Sequence, residues 1–417
     1  MRKLLAMLAL GGLLSLASGL AQATTLQILS AFDRTMAEAH QEIKRRFEAE
    51  NPGITLEFQT AAQNYEEASQ KIIRGAMIND LPDVSFQGLN LMRGLVDRGI
   101  VVPLDGFIAA DGGADKLGYD PGMLRAGGLG GKTYGIPFAV STPIVYLNVD
   151  LLKAAGADAA NFPKTWPEIL ALGAKIDDPA RNVIGFYCQW DVTGNWMFQS
   201  LVFANGGRML SPDEKTVAFD QPPGMAALST FESFARAKMP NLPSSQSRAA
   251  FIAGKIGIFV DSSSNLGSAT RQIGKSFDFR TLRFPLGAED GKVPGGGNLA
   301  VILAKDPERQ QAAWKYVRFA TGPIGQTIMA NHTGYLPSNS IAVNTPALLG
   351  DFYKANANYQ ASIAQVPILT GWYAFPGSNG VKIIDVIKRH TEAVVTGKKN
   401  AAETMPAMAA DVRKLLE

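Results

Sequence analysis

The chain has 417 residues, of which 46% are hydrophobic and 18% are charged, and its formal net charge is +3. This apolar fraction excludes intrinsic disorder, which requires low hydrophobicity and high net charge. The 40 basic and 37 acidic residues nearly balance, so the chain lacks the general basic field that would hold nucleic acid. At about 150 residues per domain, the length predicts two or three domains.

The N-terminal residues have the layout of a secretory signal peptide. A positive start at residues 2–3 precedes an apolar run over residues 4–20 and a small-x-small cleavage site at residues 21–23. The alternative is an uncleaved membrane anchor, for which this run reaches only the short limit of a spanning helix. We expect residues 1–23 to be removed and the mature protein to begin at Thr24 in the periplasm.

Cys188 is the single cysteine, so no disulfide can form within the chain. The three histidines are scattered along the sequence, and no nucleophile motif surrounds the cysteine. We therefore expect a buried structural thiol, and we predict neither a metal site nor a catalytic centre.

The mature chain alternates short apolar strands with amphipathic helices, which is the pattern of an α/β fold. Its first third predicts parallel strands joined by right-handed crossovers. The predicted strands are 26–29, 54–58, 83–87, 134–140, 144–148, 184–187, 256–260 and 298–303. The predicted helices are 36–51, 65–78, 89–97, 166–175, 196–205, 225–237, 306–321, 383–395 and 404–416.

Several short motifs follow one another in an order that is typical of one protein family. They are NPGI at 51–54, DLPDV at 80–84, GIVVPLD at 99–105, YGIPF at 134–138, VYLN at 145–148, PKTWPE at 163–168, FIAGKIGI at 251–258, GGGNL at 295–299 and TGYLP at 333–337. The ordered set resembles the family-1 extracellular solute-binding proteins of ABC importers. Within that family, residues 64–66, Trp190 and residues 334–337 are most similar to the glycerol-3-phosphate binders of Ugp-type importers.

The resemblance implies a two-lobed periplasmic-binding-protein fold, in which each lobe is a sheet flanked by helices and the hinge has several strands. By analogy, the first lobe comprises residues 24–139 and 290–333, and the second comprises residues 140–289 and 334–417. Hinge closure would bury a small hydroxylated solute, which the protein would deliver to the permease subunits of the importer. The resemblance implies a monomer without cofactor, nucleic-acid partner or enzymatic activity.

Candidate binding residues follow the predicted strands or begin helices near the cleft. Ligands in such sheets lie beyond the strand carboxyl ends, where aromatic faces and short polar groups hold hydroxylated compounds. Each candidate has a structural alternative: a tryptophan can be a core residue, an acid can stabilise a helix start, and serines can serve turns. The candidates are Asp33, Tyr65, Glu66, Ser141, Trp190, Ser262, Gly296 and Tyr335.

One departure from the Ugp-type pattern bears on the charge of the ligand. Those proteins place an arginine in a late glycine-rich segment, where this chain has Ile384, with Lys382 nearby and Trp372 and Tyr373 just before the segment. The candidate set includes two acids and no arginine or lysine. It therefore favours a glycerophosphodiester or a neutral saccharide over glycerol 3-phosphate itself.

The rival prediction from another class is an exported hydrolase. Glycosidases need two carboxylates at a defined separation, whereas Glu66 and Glu67 are adjacent and point apart on a helix. The G-x-S-x-G motif of serine hydrolases is absent from the sequence. These observations favour a binding protein over an enzyme.

Overall fold

The computed structural model describes residues 23–31 and 33–416, and the side chains of all of these except residues 33–35. The apolar run of the predicted signal peptide lies outside the described residues. Within the described part, no helix combines the length and the apolar character needed to cross a membrane.

Two β-sheets form the centres of the two lobes, with strand order β2-β1-β3-β12-β6 in the first and β10-β7-β9-β8 in the second. Two further sheets are short two-stranded ladders, β11-β13 and β4-β5. The strands are β1 Thr24–Leu29, β2 Ile54–Phe58, β3 Val84–Gly88, β4 Gly128–Leu129, β5 Lys132–Thr133, β6 Ile136–Ser141, β7 Pro143–Asn148, β8 Ile184–Cys188, β9 Ile256–Ser262, β10 Phe279–Arg283, β11 Val293–Pro294, β12 Gly296–Ile302 and β13 Leu369–Thr370.

Helices cover both faces of each large sheet. The helices are α1 Asp33–Glu50, α2 Tyr65–Ile78, α3 Met92–Val96, α4 Asp105–Ala110, α5 Ala114–Leu117, α6 Pro121–Leu124, α7 Val149–Ala154, α8 Trp166–Ile176, α9 Trp196–Ala204, α10 Pro222–Arg236, α11 Ser244–Ile252, α12 Leu266–Ile273, α13 Pro307–Ala320, α14 Pro323–His332, α15 Ser340–Asn344, α16 Asp351–Ala355, α17 Gln360–Ile363, α18 Gly380–Val395 and α19 Ala401–Leu416.

The parallel pairing predicted for the first third of the chain is confirmed. Strand β1 pairs in parallel with both β2 and β3. Strand β12 returns to this sheet much later in the sequence and runs antiparallel to its neighbours β3 and β6. Each sheet is therefore mixed, and the first is built from two separate parts of the chain.

Alternating apolar residues bury both faces of the second sheet. In β7, Val145 and Leu147 join the core on one face, whereas Ile144 and Tyr146 join the core on the other. This follows from the period of two residues along a strand. Cys188 at the end of β8 is fully buried and unpaired, which confirms the predicted structural thiol, and burial raises the pKa of its thiol.

The connections between the sheets run side by side. Strand β6 passes into β7 through Thr142, Ser141 pairs with Gly296 of β12, and Leu336 donates its backbone N–H to Val140 O. We propose that these crossings are the lobe boundaries. The first lobe then includes all of β6, two residues beyond the boundary at 139 inferred from the sequence. The hinge is thus multi-stranded and forms the floor of the cleft.

Candidate functional site

A cavity of about 800 Å³ opens between the lobes above the hinge. Many of its lining residues are small and polar, and they come from both lobes. Those predicted from the sequence are Tyr65, Ser141, Ser262, Gly296 and Tyr335. Others in the lining are Gln63, Thr193, Trp196, Ser244, Ser245, Arg248, Ser264, Asn265, Ser268, Arg271, Gln272, His332 and Thr333.

Two tyrosines join the lobes at the hinge side of this cavity. Tyr65 begins α2, whose start is fixed by the side chain of Asn64 as it accepts a hydrogen bond from Glu67 N. The Tyr65 hydroxyl accepts a hydrogen bond from Asn298 Nδ2 at 3.1 Å and is also hydrogen-bonded to the hydroxyl of Tyr335. Burial raises the pKa of both phenols, so both stay protonated at neutral pH.

Gly296 allows a tryptophan to lie directly against strand β12. A Cβ atom at this position would lie 2.8 Å from Cε2 of Trp196 and 3.1 Å from Oγ of Ser141. Glycine is therefore required for the close approach of the indole ring. Trp196, the first residue of α9, is 1% exposed and reaches the cavity lining.

A hydroxyl cluster follows β9, as the sequence predicted. Ser262 Oγ lies 2.9 Å from Ser264 Oγ and accepts a hydrogen bond from Ser264 N at 3.2 Å. The carbonyl of Ser262 accepts a hydrogen bond from the Tyr146 hydroxyl at 2.7 Å. The backbone is thus held from within the second lobe, while both serines line the cavity.

The cavity contains cations that the sequence analysis did not identify. Arg248 on α11 donates from Nε and Nη2 to the fully buried carboxylate of Asp261, at 2.8 and 3.2 Å. Burial lowers the pKa of Arg248, but the Asp261 carboxylate outweighs this effect, so the pKa lies above its ordinary value. Arg271 on α12 donates to His332 O at 3.0 Å. The expectation of a candidate site without arginine is therefore wrong.

The structure places Trp190 away from the cavity lining. Its side chain is 4% exposed in the core, and its indole N–H donates to Asn241 Oδ1 at 3.0 Å. The polar residues around it suggested exposure, but Gln189 N continues the β9 pairing by donating to Val260 O, and the chain then turns inward. The tryptophan that lines the cavity is Trp196, six residues later.

The two predicted acids also differ from the other candidates. Glu66 lies beside the cavity, where a Cβ atom on Gly194 would come 3.0 Å from Glu66 Oε1, and burial raises the pKa of Glu66. The side chain of Asp33 lies outside the described part of the chain. Ile384, at the position of the family arginine, is buried against Gly194, and the exposed Lys382 donates to Asn379 at 3.1 Å. Neither Ile384 nor Lys382 lines the cavity.

Buried polar groups without a hydrogen-bond partner gather between the lobes. The Trp372 ring centroid lies 6.4 Å from that of Trp196 and 6.5 Å from that of Tyr65, so Trp372 backs the cavity wall. Each unsatisfied buried group costs about 1–3 kcal/mol, unless a ligand supplies the missing partner. Within the described residues, the unpartnered atoms of cavity-lining residues are Thr193 Oγ1, Trp196 Nε1 and Asn265 Nδ2. Those of nearby residues that do not line the cavity are Asn90 Nδ2 and Oδ1, Asn195 Nδ2, Asn298 Oδ1 and Trp372 Nε1.

Sequence reasoning missed most of this polar set. Asn298 lies in β12 and pairs with Gly88, the last residue of β3. Asn90 follows β3 by two residues, so it lies near Asn298 although the two are far apart in sequence. Asn195 directly precedes α9, and only the polar loop before the helix pointed to it. Sequence reasoning could have brought these amides together only by predicting that β3 pairs with β12.

A model of the bacterial extracellular solute-binding protein family matches residues 42–361. The chain belongs to this family. Members of this family are the solute-binding proteins of ABC transporters, which bind small solutes and deliver them to permease subunits. The family and its fold are those of binding proteins and not of enzymes. The family predicted from the ordered motifs is therefore confirmed.

Two relatives match large parts of the chain. A binding protein of Brucella abortus (strain 2308) is 25% identical over 418 residues, which cover 95% of this chain and 96% of the relative. The sn-glycerol-3-phosphate-binding periplasmic protein UgpB of Agrobacterium fabrum (strain C58 / ATCC 33970) is 25% identical over 291 residues, or 65% of this chain and 64% of that protein. The predicted similarity to Ugp-type proteins is confirmed.

Solved structures of solute-binding proteins share the two-lobed fold. UgpB from Mycobacterium tuberculosis in complex with glycerophosphocholine has a TM-score of 0.82 at 22% identity, covering 94% of this chain and 98% of that one. Maltose-bound T. maritima MalE3 has a TM-score of 0.80 at 20% identity, covering 94% and 100%. The predicted α/β fold of two lobes is confirmed.

Proposed function

We propose that the protein captures a glycerophosphodiester, or a closely related glycerol-3-phosphate-like solute, in the interlobe cavity and delivers it to an importer permease. The observation that carries the proposal is the ion pair between Arg248 and Asp261. It uses Nε and Nη2 of the guanidinium and leaves Nη1 without a hydrogen bond among the described residues. A free guanidinium nitrogen beside hydroxyl groups suits a phosphate oxygen.

The charge of the cavity supports a monoanion over a dianion. Asp261 offsets the charge of Arg248, and the Glu66 carboxyl group lies beside the cavity. A phosphodiester carries one negative charge, whereas a phosphate monoester near neutral pH carries close to two. Arg271, the second cation of the cavity, is exposed and donates to His332 O, so we expect it to offset a second negative charge less well than a buried arginine would. Desolvating that second charge is therefore costly. The structural neighbour UgpB from M. tuberculosis is in complex with glycerophosphocholine, which is a diester of this class.

The remaining groups suit the polyol part of the solute. Trp196 Nε1 and Asn265 Nδ2 have no partner among the described residues and belong to residues that line the cavity, so they would donate hydrogen bonds to hydroxyls. The part of the Trp196 ring that reaches the cavity would contact the C–H groups of glycerol or a cationic head group. The roles first assigned to Tyr65, Ser141, Ser262, Gly296 and Tyr335 remain part of this proposal.

A saccharide or polyol is the second candidate solute. The pairing of Trp196 with Trp372 and the many serine hydroxyls would also suit a neutral sugar, which avoids the charge problem altogether. Among the structural neighbours, T. maritima MalE3 is bound to maltose.

Export to the periplasm is part of the proposal. The family is extracellular, and the UgpB relatives are named as periplasmic proteins. Sequencing the N-terminus of the exported protein should show Thr24 as the first residue. Protein in the soluble exported fraction that still begins with Met1 would contradict the predicted cleavage.

Calorimetric titration with glycerophosphocholine, sn-glycerol 3-phosphate and maltose, at one pH and salt concentration, tests the proposed ligand. We expect glycerophosphocholine to bind most tightly and to raise the stability by about 2.7 kcal/mol at a hundredfold excess over Kd. Maltose binding alone would favour the saccharide proposal. Micromolar binding of glycerol 3-phosphate, with no response to the other two, would contradict both the preference for a phosphodiester and the saccharide candidate.

A further inference from the structure

An ion pair joins the two lobes on the far side of the aromatic residues from the cavity. Arg93 on α3 of the first lobe donates from Nη1 to Glu214 Oε1 of the second lobe at 2.7 Å. The hydroxyl of Tyr373, also in the second lobe, donates to the same oxygen at 3.0 Å. Of all salt bridges among the described residues, this is the one that connects the lobes.

The local environment makes this contact stronger than an ordinary surface pair. The side chains of Arg93 and Glu214 are only 22% and 33% exposed, so solvent screens them less. The hydrogen bond from Arg93 lowers the pKa of the Glu214 carboxyl group, which therefore remains charged at neutral pH. Glu214 also has a φ of 59°, an unfavourable conformation for a residue with a side chain. A strained residue is retained where the surrounding contacts compensate for it.

The ion pair is connected to the cavity wall through one buried glutamine. Gln199 on α9 accepts a hydrogen bond from Tyr373 N at 2.9 Å and donates from Nε2 to Asn195 Oδ1 at 3.1 Å. Asn195 directly precedes Trp196, which lines the cavity. Trp372, the neighbour of Tyr373, packs against Trp196. The position of Tyr373 is thus tied to the position of the cavity wall.

We propose that Arg93, Glu214 and Tyr373 form a latch that holds the lobes together around bound solute and sets how long the solute stays bound. These residues do not line the cavity that holds the solute in the proposed function, so they act as positioning residues. The ion pair is formed when the lobes are closed, so it opposes reopening both with and without solute. A contact that forms on closure slows dissociation more than it speeds association.

The test compares the wild type with Glu214→Gln, which removes the charge and keeps the shape. Stopped-flow measurements with glycerophosphocholine should show dissociation about tenfold faster, with the association rate nearly unchanged. In the double variant Arg93→Met/Glu214→Gln, the effect should be no larger than in the stronger single variant, because both changes break one contact. Tyr373→Phe should give a smaller change in the same direction.

The matched control is Glu42→Gln. Glu42 is 25% exposed and pairs with Arg45 and Arg46 within helix α1. The substitution therefore removes a similar carboxylate charge from ion pairs that lie within one lobe. This control should keep the dissociation rate of the wild type. Thermal unfolding of each variant checks that the fold is intact.

Because the latch rests on the proposed function, a measurement without solute separates the two. Small-angle scattering of solute-free protein should show a larger radius of gyration for Glu214→Gln than for the wild type. If glycerophosphocholine does not bind the wild type, the proposed ligand fails, while the scattering still tests the latch. A change in either quantity in Glu214→Gln alone supports the latch. Unchanged scattering and dissociation, or a change that Glu42→Gln shares, overturns it.

Discussion

A buried histidine should make the first lobe sensitive to acid. His40 on α1 is 3% exposed, and its ring centroid lies 4.7 Å from that of Phe86, 5.1 Å from that of Phe58 and 5.4 Å from that of Phe138. Neither ring nitrogen has a hydrogen-bond partner within the described residues. Burial among these apolar rings lowers the pKa of His40 from 6.5 to about 4. The folded protein therefore keeps this histidine neutral.

The sign of the pH effect follows from proton binding. Between pH 6.5 and about pH 4, the unfolded chain binds a proton at His40 that the folded protein does not bind. Stability is therefore lost as the pH falls through this window. The loss approaches about 1.4 kcal/mol per pH unit and amounts to about 2 kcal/mol at pH 5. It is a large part of a typical unfolding free energy of about 5–15 kcal/mol.

Urea unfolding of the wild type and His40→Phe at pH 7 and pH 5 measures this effect. The variant places a fourth aromatic ring among the phenylalanines and removes the titrating group. The carboxyl groups are the same in both chains, so the difference between the two pH dependences isolates His40. We expect the wild type to lose about 2 kcal/mol more than the variant between the two pH values. An equal loss in both proteins would refute the argument from burial.

Three substitutions at the cavity and one in the core have distinct expected outcomes in calorimetric titration with glycerophosphocholine. Both tryptophans are buried, so Trp196→Ala and Trp190→Ala should each destabilise the fold by about 3–5 kcal/mol. Only Trp196→Ala should in addition weaken binding, by about 1–3 kcal/mol, because Trp196 reaches the cavity. Arg248→Lys should weaken diester binding more than sugar binding, since lysine cannot pair with Asp261 through a planar fork and also reach a phosphate. Gly296→Ala should weaken binding by displacing Trp196, and an unchanged affinity would contradict the close approach.

Local signals predicted most strands of the two large sheets and several of the longer helices, but they missed other helices. The expected bounds of β2 and α2 agree with the observed Ile54–Phe58 and Tyr65–Ile78, because Asn64 caps the helix and Asn79 ends it in a left-handed conformation. Helix α11, with the sequence SSQSRAAFI, was missed. Only Ser247 and Phe251 of this helix are buried, so it lacks the apolar periodicity that identifies a helix. Arg248 was missed with it.

The choice between two tryptophans shows the limit of local reasoning. Trp190 and Trp196 both lie near polar residues that follow a strand. The local sequence cannot tell which of the two rings reaches the cavity. Strand β9 decides by pairing one residue beyond the end of β8, which carries Trp190 into the core. Gly296, distant in sequence, provides the flat surface that receives Trp196. Both determinants are tertiary contacts.

The same tertiary origin explains how binding and closure are coupled. Asn90 and Asn298 belong to the first lobe, whereas Asn195 and Trp372 belong to the second, and each has at least one buried polar atom without a partner in the part of the chain that the structure describes. A ligand shifts a conformational equilibrium only by its difference in affinity for the two states. A solute that satisfies groups from both lobes at once has that difference, because an open cleft cannot present both sets. The unpartnered groups lower the stability of the closed lobes without solute, so a solute that satisfies them shifts the equilibrium further towards closure.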